Sequence, residues 1–484
     1  MINIYDDIVG RESLSEKFLL LGKKRTTYSA FNKSVDLLKI KLKEAGCKEL
    51  TRIGICAEQG LVNIAALLAI RKIGAVSVLL SSDSTMHEIN KVIKHSEISF
   101  IINEVLGKFD KDSFKCMINI DDLNCEIIKS NIETYNYSEK NDATIIYSSG
   151  TTGDPKGVVL TENGISSNVK AVCKYLDFSK NDISPIFLPS HYGFSLSQNL
   201  THLWKRASLI PIKTKLIFPS DILRSIIEYN ATSITGPPSA YNILLNTKIN
   251  EKNVFNSIEK LHIGGIPIDF KYYQKIKKTF PKAKITNVYG CTENSPRVSY
   301  FHLNGNYGLS KNNYFPVGKS VDGTKIRVIK NHRNTKTDQI GTIFIKGKSL
   351  MKGYWKNEKL TNERLVDGWF NTRDLGYLDN HGLLHLSGRV DTMINTGHHK
   401  VYPEEVESII KLLDGVRDAF VYGSKDNILG QKIVADIVID SGSNITDRKI
   451  NRHCSKYLSR FKVPKEINFV TSIKKTPYGK TKRN

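Results

Sequence analysis

The sequence predicts an α/β fold: a large N-terminal lobe of parallel β-α sheets with a small β subdomain, followed by a small α+β C-terminal domain. Three observations carry this expectation. Short apolar runs alternate with amphipathic stretches from about residue 51. Beyond residue 320 the texture changes to short, turn-punctuated β segments, and after residue 390 a compact series of helices and strands begins. At 484 residues the chain is long enough to divide into two or three lobes.

Taken in order, TRIGICA, AVSVLL and SFIIN read as strands, with NIAALLAIRKI and HEINKVIKH as helices between them. Strand and helix in alternation imply parallel β-α units. The pattern resumes after residue 143 with TIIYSSG, ISPIFLP, SLIPI, NATSITG, KLHIGG and KITNVYG, each a strand running into a loop. SDILRSIIEYN and FKYYQKIKKTF are helices among them. Ligands of open parallel sheets bind outside the carboxyl ends of the strands, where several of these Gly-rich loops fall. IRVIK, GTIFIKG, GYLDNHG and LLHLSG supply the β subdomain, barrel-like or a sheet. PEEVESIIKLL, DAFVYG, KIVADIVID, RKINRHCSKYL and EINFVTSI suffice for a last α+β domain of about a hundred residues.

Composition narrows the class of function. Lys plus Arg is 71 against 48 Asp plus Glu, a net charge of +23 that favours anionic partners. Residues 441–484 carry twelve Lys or Arg against two Asp or Glu, a local excess of +10. No nucleic-acid module accompanies this charge, so no nucleic-acid partner is expected. Seven scattered cysteines, without C-x-x-C pairs, read as reduced thiols of a cytoplasmic protein. The N-terminus lacks a basic segment leading into an apolar core, and LVNIAALLAI stops at Arg71 and Lys72, so neither export nor a membrane span is expected. His398 and His399 have no metal partners at a ligating spacing.

The loop YSSGTTGDPKG, residues 147–157, follows the strand TIIY and holds three glycines, four hydroxyl side chains besides Tyr147, and Lys156. Glycines bring backbone N–H groups onto an anion, hydroxyls add donors, and the lysine supplies a mobile positive charge. The string suits a triphosphate, although it is not a Walker A loop: Pro155 stands where that motif needs Gly.

SSGTTGDPKG, VYGCTE at 288–293, GWFNTRDLGYLDNHG at 368–382, GRVDTMINTGHHKVYPEEVE at 388–407 and PYGK at 477–480 occur in a telling order and spacing. With them the chain resembles the adenylate-forming superfamily: acyl- and aryl-CoA synthetases, luciferases and adenylation domains of nonribosomal peptide synthetases. LLAIRKIGAVSVLL and GGIPID extend the likeness over nearly the whole chain. The resemblance implies an N-terminal AMP-binding domain, residues 1–390, and a mobile C-terminal domain, residues 391–484, hinged at Asp391. It also implies ATP and Mg²⁺, an acyl-AMP intermediate and a thiol acceptor, either coenzyme A or a carrier protein's phosphopantetheine arm.

Residue by residue, the resemblance places Ser148, Ser149, Gly150, Thr151, Thr152, Gly153 and Lys156 around the β- and γ-phosphates. Tyr289 is expected to stack on adenine beside Gly290, with Asn287 near the amino group, Thr292 at the α-phosphate and Glu293 on the metal. Asp374 takes the ribose hydroxyls, and Arg389 reaches the ribose or a phosphate. Arg373 stands where the family usually has Gly. Gly397 lines the pantetheine tunnel. Lys480, just short of the last residue given, enters the site for adenylation and bridges the acid's carboxylate and the α-phosphate. Lys156, Glu293, Asp374, Arg389 and Lys480 are all present, which argues against a catalytically dead binding module.

The acyl pocket is expected from PSHYGFSLSQNL, residues 189–200, with His191, Tyr192 and Gly193, and from Gly264, Gly265, Ile266 and Cys291. His191 resembles the histidine that contacts the carboxylate in acyl- and aryl-CoA synthetases. Cys291 is a pocket wall, because in-line attack at phosphorus needs no enzyme nucleophile. Amino-acid-activating relatives carry an Asp in this segment to hold the ammonium; Tyr192, Gly193 and Phe194 stand here instead. An ammonium desolvated there without a partner is costly, so the expected acid is aliphatic or aromatic and lacks an α-amino group. No carrier domain is expected beyond PYGK. CoA is the favoured acceptor and a separate acidic carrier protein the alternative.

Overall fold

The computed structural model of the protein describes residues 4–10, 17–20, 25–104, 117–120, 123–129, 138–149, 155–212, 219–246, 254–265, 268–305, 308–310, 314–389, 394–397, 399–401, 403–440 and 442–473. The chain forms two compact units. The first holds residues 1–82, 96–147 and 157–388; the second holds 83–95, 148–156 and 389–484.

Among the described residues, the largest sheet of the molecule has eight strands in the order 353–354, 155–161, 142–149, 76–79, 52–56, 100–103, 123–129, 117–120. Its centre is parallel: Arg52–Cys56 pairs with Val76–Leu79 and Phe100–Asn103, and Val76–Leu79 with Asp142–Ser149. These strands are buried residue after residue, which is why they read as unbroken apolar runs rather than alternating ones. The edges depart from the parallel expectation. Met117–Ile120 and Leu123–Lys129 form a hairpin, antiparallel because the two residues between them are too few for a crossover. At the other edge Gly353–Tyr354 runs antiparallel to Pro155–Thr161.

A second sheet is parallel through Ser233–Gly236, Lys260–Gly264 and Lys284–Gly290, then antiparallel through Arg297–His302 and Lys319–Ser320. A third joins Ile183–Ile186 and Ser208–Pro211 to Phe18–Leu20, a three-residue strand too short to show in the periodicity. The β subdomain is an antiparallel sheet built on Thr324–Lys330, Gly341–Gly347 and Trp369–Leu378, with Leu384–Arg389 paired at its side.

Several helices start at side-chain caps, though Leu61–Lys72 and Gly193–Lys205 do not. Thr27, Thr161 and Asp269 each accept a backbone N–H from the first turn of the helix that follows. Leu61–Lys72 is buried over most of its circumference, its apolar runs packed in the same core as the central strands. Burying such Leu and Ile side chains stabilises the unit by roughly 1.5–3 kcal/mol each. Among the described residues no helix is long and apolar enough to cross a membrane.

In the second unit, Val416–Asp426 and Gly430–Ile439 form a long antiparallel pair, with Glu466–Phe469 parallel to the latter. Helices Pro403–Ile410 and Asp447–Tyr457 bury Val406, Ile410, Ile450 and Cys454 in its core. Helix Met86–Ser96 contributes Glu88, which takes the Lys462 ammonium at 3.0 Å while Glu405 takes it at 2.9 Å. Burial works against the charge of Glu88, yet Lys462 and the Ser459 hydroxyl hold its carboxyl below the usual range; burial raises that of Glu405.

Candidate active site

Strand Lys284–Gly290 organises the site of the first unit. Its side chains alternate, so Asn287 and Tyr289 share one face. The Tyr289 hydroxyl donates to Asp374 Oδ2 at 2.5 Å, and burial with the adjacent carboxylate raises its pKa well above that of a free phenol. Asp374 is half-buried on strand Trp369–Leu378, its own N–H held by the Thr372 hydroxyl at 3.0 Å. Asn287 is fully buried; its Nδ2 donates to the Pro316 carbonyl at 2.9 Å, and its Oδ1 has no hydrogen-bond partner. The Tyr289 ring, the Asp374 carboxylate it meets and the unmatched Asn287 acceptor therefore stand close together, with Asn287 and Tyr289 buried.

The turn beyond the strand is tightly braced. A Cβ at Gly290 would stand 2.0 Å from the Pro296 carbonyl oxygen, so only glycine fits. Thr292–Asn294 forms a single 3₁₀ turn, and the Met351 N–H donates to the Glu293 carbonyl at 2.7 Å. Buried Asn168 spans the turn, donating to the carbonyls of Asn294 and Arg297 at 3.0 and 2.9 Å. The Tyr354 hydroxyl donates to Glu293 Oε1 at 2.9 Å. Thr292 and Cys291 are half-buried beside it.

On the neighbouring parallel strand, Gly264 is buried against Val288; a Cβ there would come within 2.7 Å of Val288 Cγ2 and 3.6 Å of the Phe194 ring. Gly265 is exposed, with φ 110°, a conformation that favours glycine. Gly193 and Phe194 open helix Gly193–Lys205, and the His191 ring meets Tyr192 edge-on at 4.6 Å. Ile266 lies outside the described residues.

Arg373 occupies the left-handed region at φ 59°, its guanidinium paired with Glu363. The position thus asks for the conformation that glycine adopts freely, at roughly 1–2 kcal/mol for any other residue. Asp374 nevertheless keeps its place on the strand.

In the second unit, Ser148 and Ser149 end strand Asp142–Ser149, and Lys156 stands half-buried in strand Pro155–Thr161. Gly150, Thr151, Thr152 and Gly153 lie outside the described residues, as do Asp391 and Lys480. Arg389 closes strand Leu384–Arg389. Gly397 turns the chain between Ile394–Thr396 and His399–Val401 at φ 63°, donating its N–H to the Leu429 carbonyl at 2.6 Å.

Sequence reasoning missed Tyr354, Asn168 and Arg297. The first two act through pairings with residues 61 and 126 positions away, which no local pattern signals.

One divalent ion would find in Glu293 a single half-buried carboxylate. Among the described residues no group of three or more His, Cys, Asp or Glu could hold a metal. A single carboxylate would suit a Mg²⁺ bound chiefly through a nucleotide's phosphates.

The profile of the AMP-binding enzyme family matches residues 11–355, and that of the AMP-binding enzyme C-terminal domain matches residues 405–480. Acyl-CoA synthetase 7 of Caenorhabditis elegans is 30% identical over 382 residues, covering 76% of this chain and 69% of the relative. A 2-succinylbenzoate–CoA ligase of Listeria monocytogenes is 26% identical over 480 residues, covering 98% and 96%. Among solved structures, an o-succinylbenzoate CoA synthetase of Bacillus subtilis superimposes with a TM-score of 0.85 at 23% identity, covering 100% of this chain and 98% of that one. An amide bond synthetase of Marinactinospora thermotolerans gives 0.84 at 20% identity, covering 99% and 98%. Both structures share the fold.

Proposed function

The chain belongs to the AMP-binding enzyme family, and on that premise we propose that it couples a carboxylic acid lacking an α-amino group to coenzyme A through an acyl-adenylate. In the first half-reaction a carboxylate oxygen attacks the α-phosphorus of ATP and pyrophosphate leaves. In the second, the thiol sulfur attacks the acyl carbonyl, the thioester forms, and AMP departs with the oxygen that the acid supplied. The observation that carries this reading is the set Asn287, Tyr289 and Asp374. An aromatic face suits a purine, the unmatched Asn287 acceptor suits an exocyclic amino group, and the Asp374 carboxylate suits vicinal ribose hydroxyls.

The remaining roles follow the family pattern. Ser148 to Lys156 hold the β- and γ-phosphates, Thr292 meets the α-phosphate, and Arg389 assists at the ribose or a phosphate. Glu293, steadied by Tyr354, holds Mg²⁺, which when bound neutralises charge on the phosphates. His191, Tyr192, Gly193, Gly264, Gly265, Ile266 and Cys291 bound the acid. A domain of residues 391–484 pivots at Asp391, exchanging Lys480 for the face carrying Gly397 between the half-reactions. A cytoplasmic location belongs to the same reading.

ATP–pyrophosphate exchange across a panel of carboxylic acids, followed by adding CoA to the best one, tests it. Acid-dependent exchange and an acyl-CoA product are expected; exchange with no acid overturns it. The +10 segment at 441–484 also suits an acidic carrier protein. That second reading predicts an acyl-AMP discharged by a phosphopantetheinylated carrier and not by free CoA.

A further inference from the structure

Arg297 begins strand Arg297–His302 and is 4% exposed. Its guanidinium carbon lies over the Phe194 ring, 3.7 Å from the centroid. Among the described residues no carboxylate lies within ion-pair distance of it, and its Nε has no hydrogen-bond partner. Of the other arginines buried or nearly buried in this unit, Arg52 pairs with Glu97 and Arg71 with Glu162, whereas Arg364, over the Phe370 ring, has its Nε bonded to the Asn371 carbonyl; the Arg297 Nε has neither kind of partner. A buried, unpaired charge is costly, and a ring face offsets only part of that.

One of the groups around it borders the expected acyl pocket. Phe194 directly follows Gly193 and packs against the Gly264 position. Tyr175, 7% exposed, stacks on Tyr300 and has a hydroxyl with no hydrogen-bond partner; the Arg297 charge acts on that phenol. His262, fully buried in the strand that ends at Gly264, feels the same charge. Burial pushes the Arg297 guanidinium down to about 10, so it remains a cation at neutral pH. Two buried polar groups, one a cation and one a hydroxyl donor, thus stand without acceptors beside an aromatic wall.

We propose that Arg297 recognises a second carboxylate on the acid substrate, so that the protein activates dicarboxylic acids, with the Tyr175 hydroxyl as an additional donor. This rests on the acid-activating function proposed above and names its substrate class. The far carboxylate supplies the missing counter-ion and can accept two parallel N–H groups from the guanidinium. A monocarboxylic acid of equal length leaves the cation desolvated and unpaired, and sites of this kind reject the analogue that lacks the matching group. The same cation repels an α-ammonium, in keeping with the absence of an Asp in the 189–200 segment.

The test is exchange with matched pairs: each linear diacid from succinate to suberate against the monoacid bearing a methyl in place of its second carboxylate, and 2-succinylbenzoate against its analogue without the ring carboxylate. The best diacid is expected to exceed its partner in kcat/KM on the order of 100-fold. Arg297→Met should remove that advantage while leaving or improving exchange with the monoacid, and Arg297→Lys should restore part of it. Wild-type protein that favours the monoacids overturns the inference, as does an Arg297→Met variant that loses both classes equally. If Arg297→Met fails to fold, the wild-type ratio alone decides. Exchange with no acid of either class brings down the acid-activating reading itself, which is a distinct result.

Discussion

His202 sits within helix Gly193–Lys205, and it is fully buried with Nδ1 against the Gln198 carbonyl at 2.8 Å. Burial drives its pKa from the ordinary 6.5 down to about 4, so the folded chain holds it neutral. The sign follows directly. Below the unfolded value, the unfolded chain binds a proton that the folded chain refuses, so stability present at neutral pH is lost as pH falls from 6.5 toward 4. The full shift corresponds to about 3 kcal/mol, of which about 2 kcal/mol is lost between pH 7 and pH 5. All three tryptophans, Trp204, Trp355 and Trp369, lie in the first unit, so intrinsic fluorescence during urea unfolding follows that unit. His202→Gln removes the titration, whatever it does to absolute stability. The variant should therefore lose about 2 kcal/mol less than the wild type between the two pH values. Equal losses in the two proteins would refute the reasoning.

Tyr289→Phe keeps the ring but deletes the 2.5 Å bond to Asp374, a charge-assisted contact of about 1.5–3 kcal/mol. Its KM for ATP in exchange should rise roughly tenfold with kcat little changed, and an unaltered KM would break the link between that pair and the nucleotide. Lys462→Met removes the ammonium that Glu88 and Glu405 share and should destabilise the second unit by about 3 kcal/mol. Hydrogen exchange over residues 403–473 reads this; unchanged protection contradicts it. Lys480→Ala should lose most acyl-AMP formation yet still transfer acyl from supplied acyl-AMP to the thiol, whereas equal loss of both steps removes the proposed role.

Much of the fold was legible because its signals are local. The strands Arg52–Cys56 and Val76–Leu79 are buried throughout since the centre of a parallel sheet is covered on both faces, and the helix between them, Leu61–Lys72, shows as an apolar run too long for a strand, without a side-chain cap. The antiparallel edges were not legible: a pairing such as Gly353–Tyr354 with Val158–Val159 depends on contacts across nearly two hundred residues. The site divides in the same way. Gly264, Gly290, Tyr289, Glu293 and Asp374 stand out by their motifs, whereas the close approach at the two glycines appears only in the structure. Arg297 carried no signal, since a lone arginine after a turn is ordinarily an exposed charge; only its burial against Phe194 makes it informative. Arg373, which breaks the motif, takes a left-handed backbone conformation that costs any residue but glycine, and its side chain pairs with Glu363.

The central claim is that the acid attacks the α-phosphorus and that its oxygen leaves with AMP. A single-turnover reaction with ¹⁸O in the acid's carboxylate, quenched after addition of CoA and read by mass spectrometry, tests it directly. One labelled oxygen in AMP, with unlabelled pyrophosphate, is the expected result; label in inorganic phosphate accompanied by ADP would contradict the account.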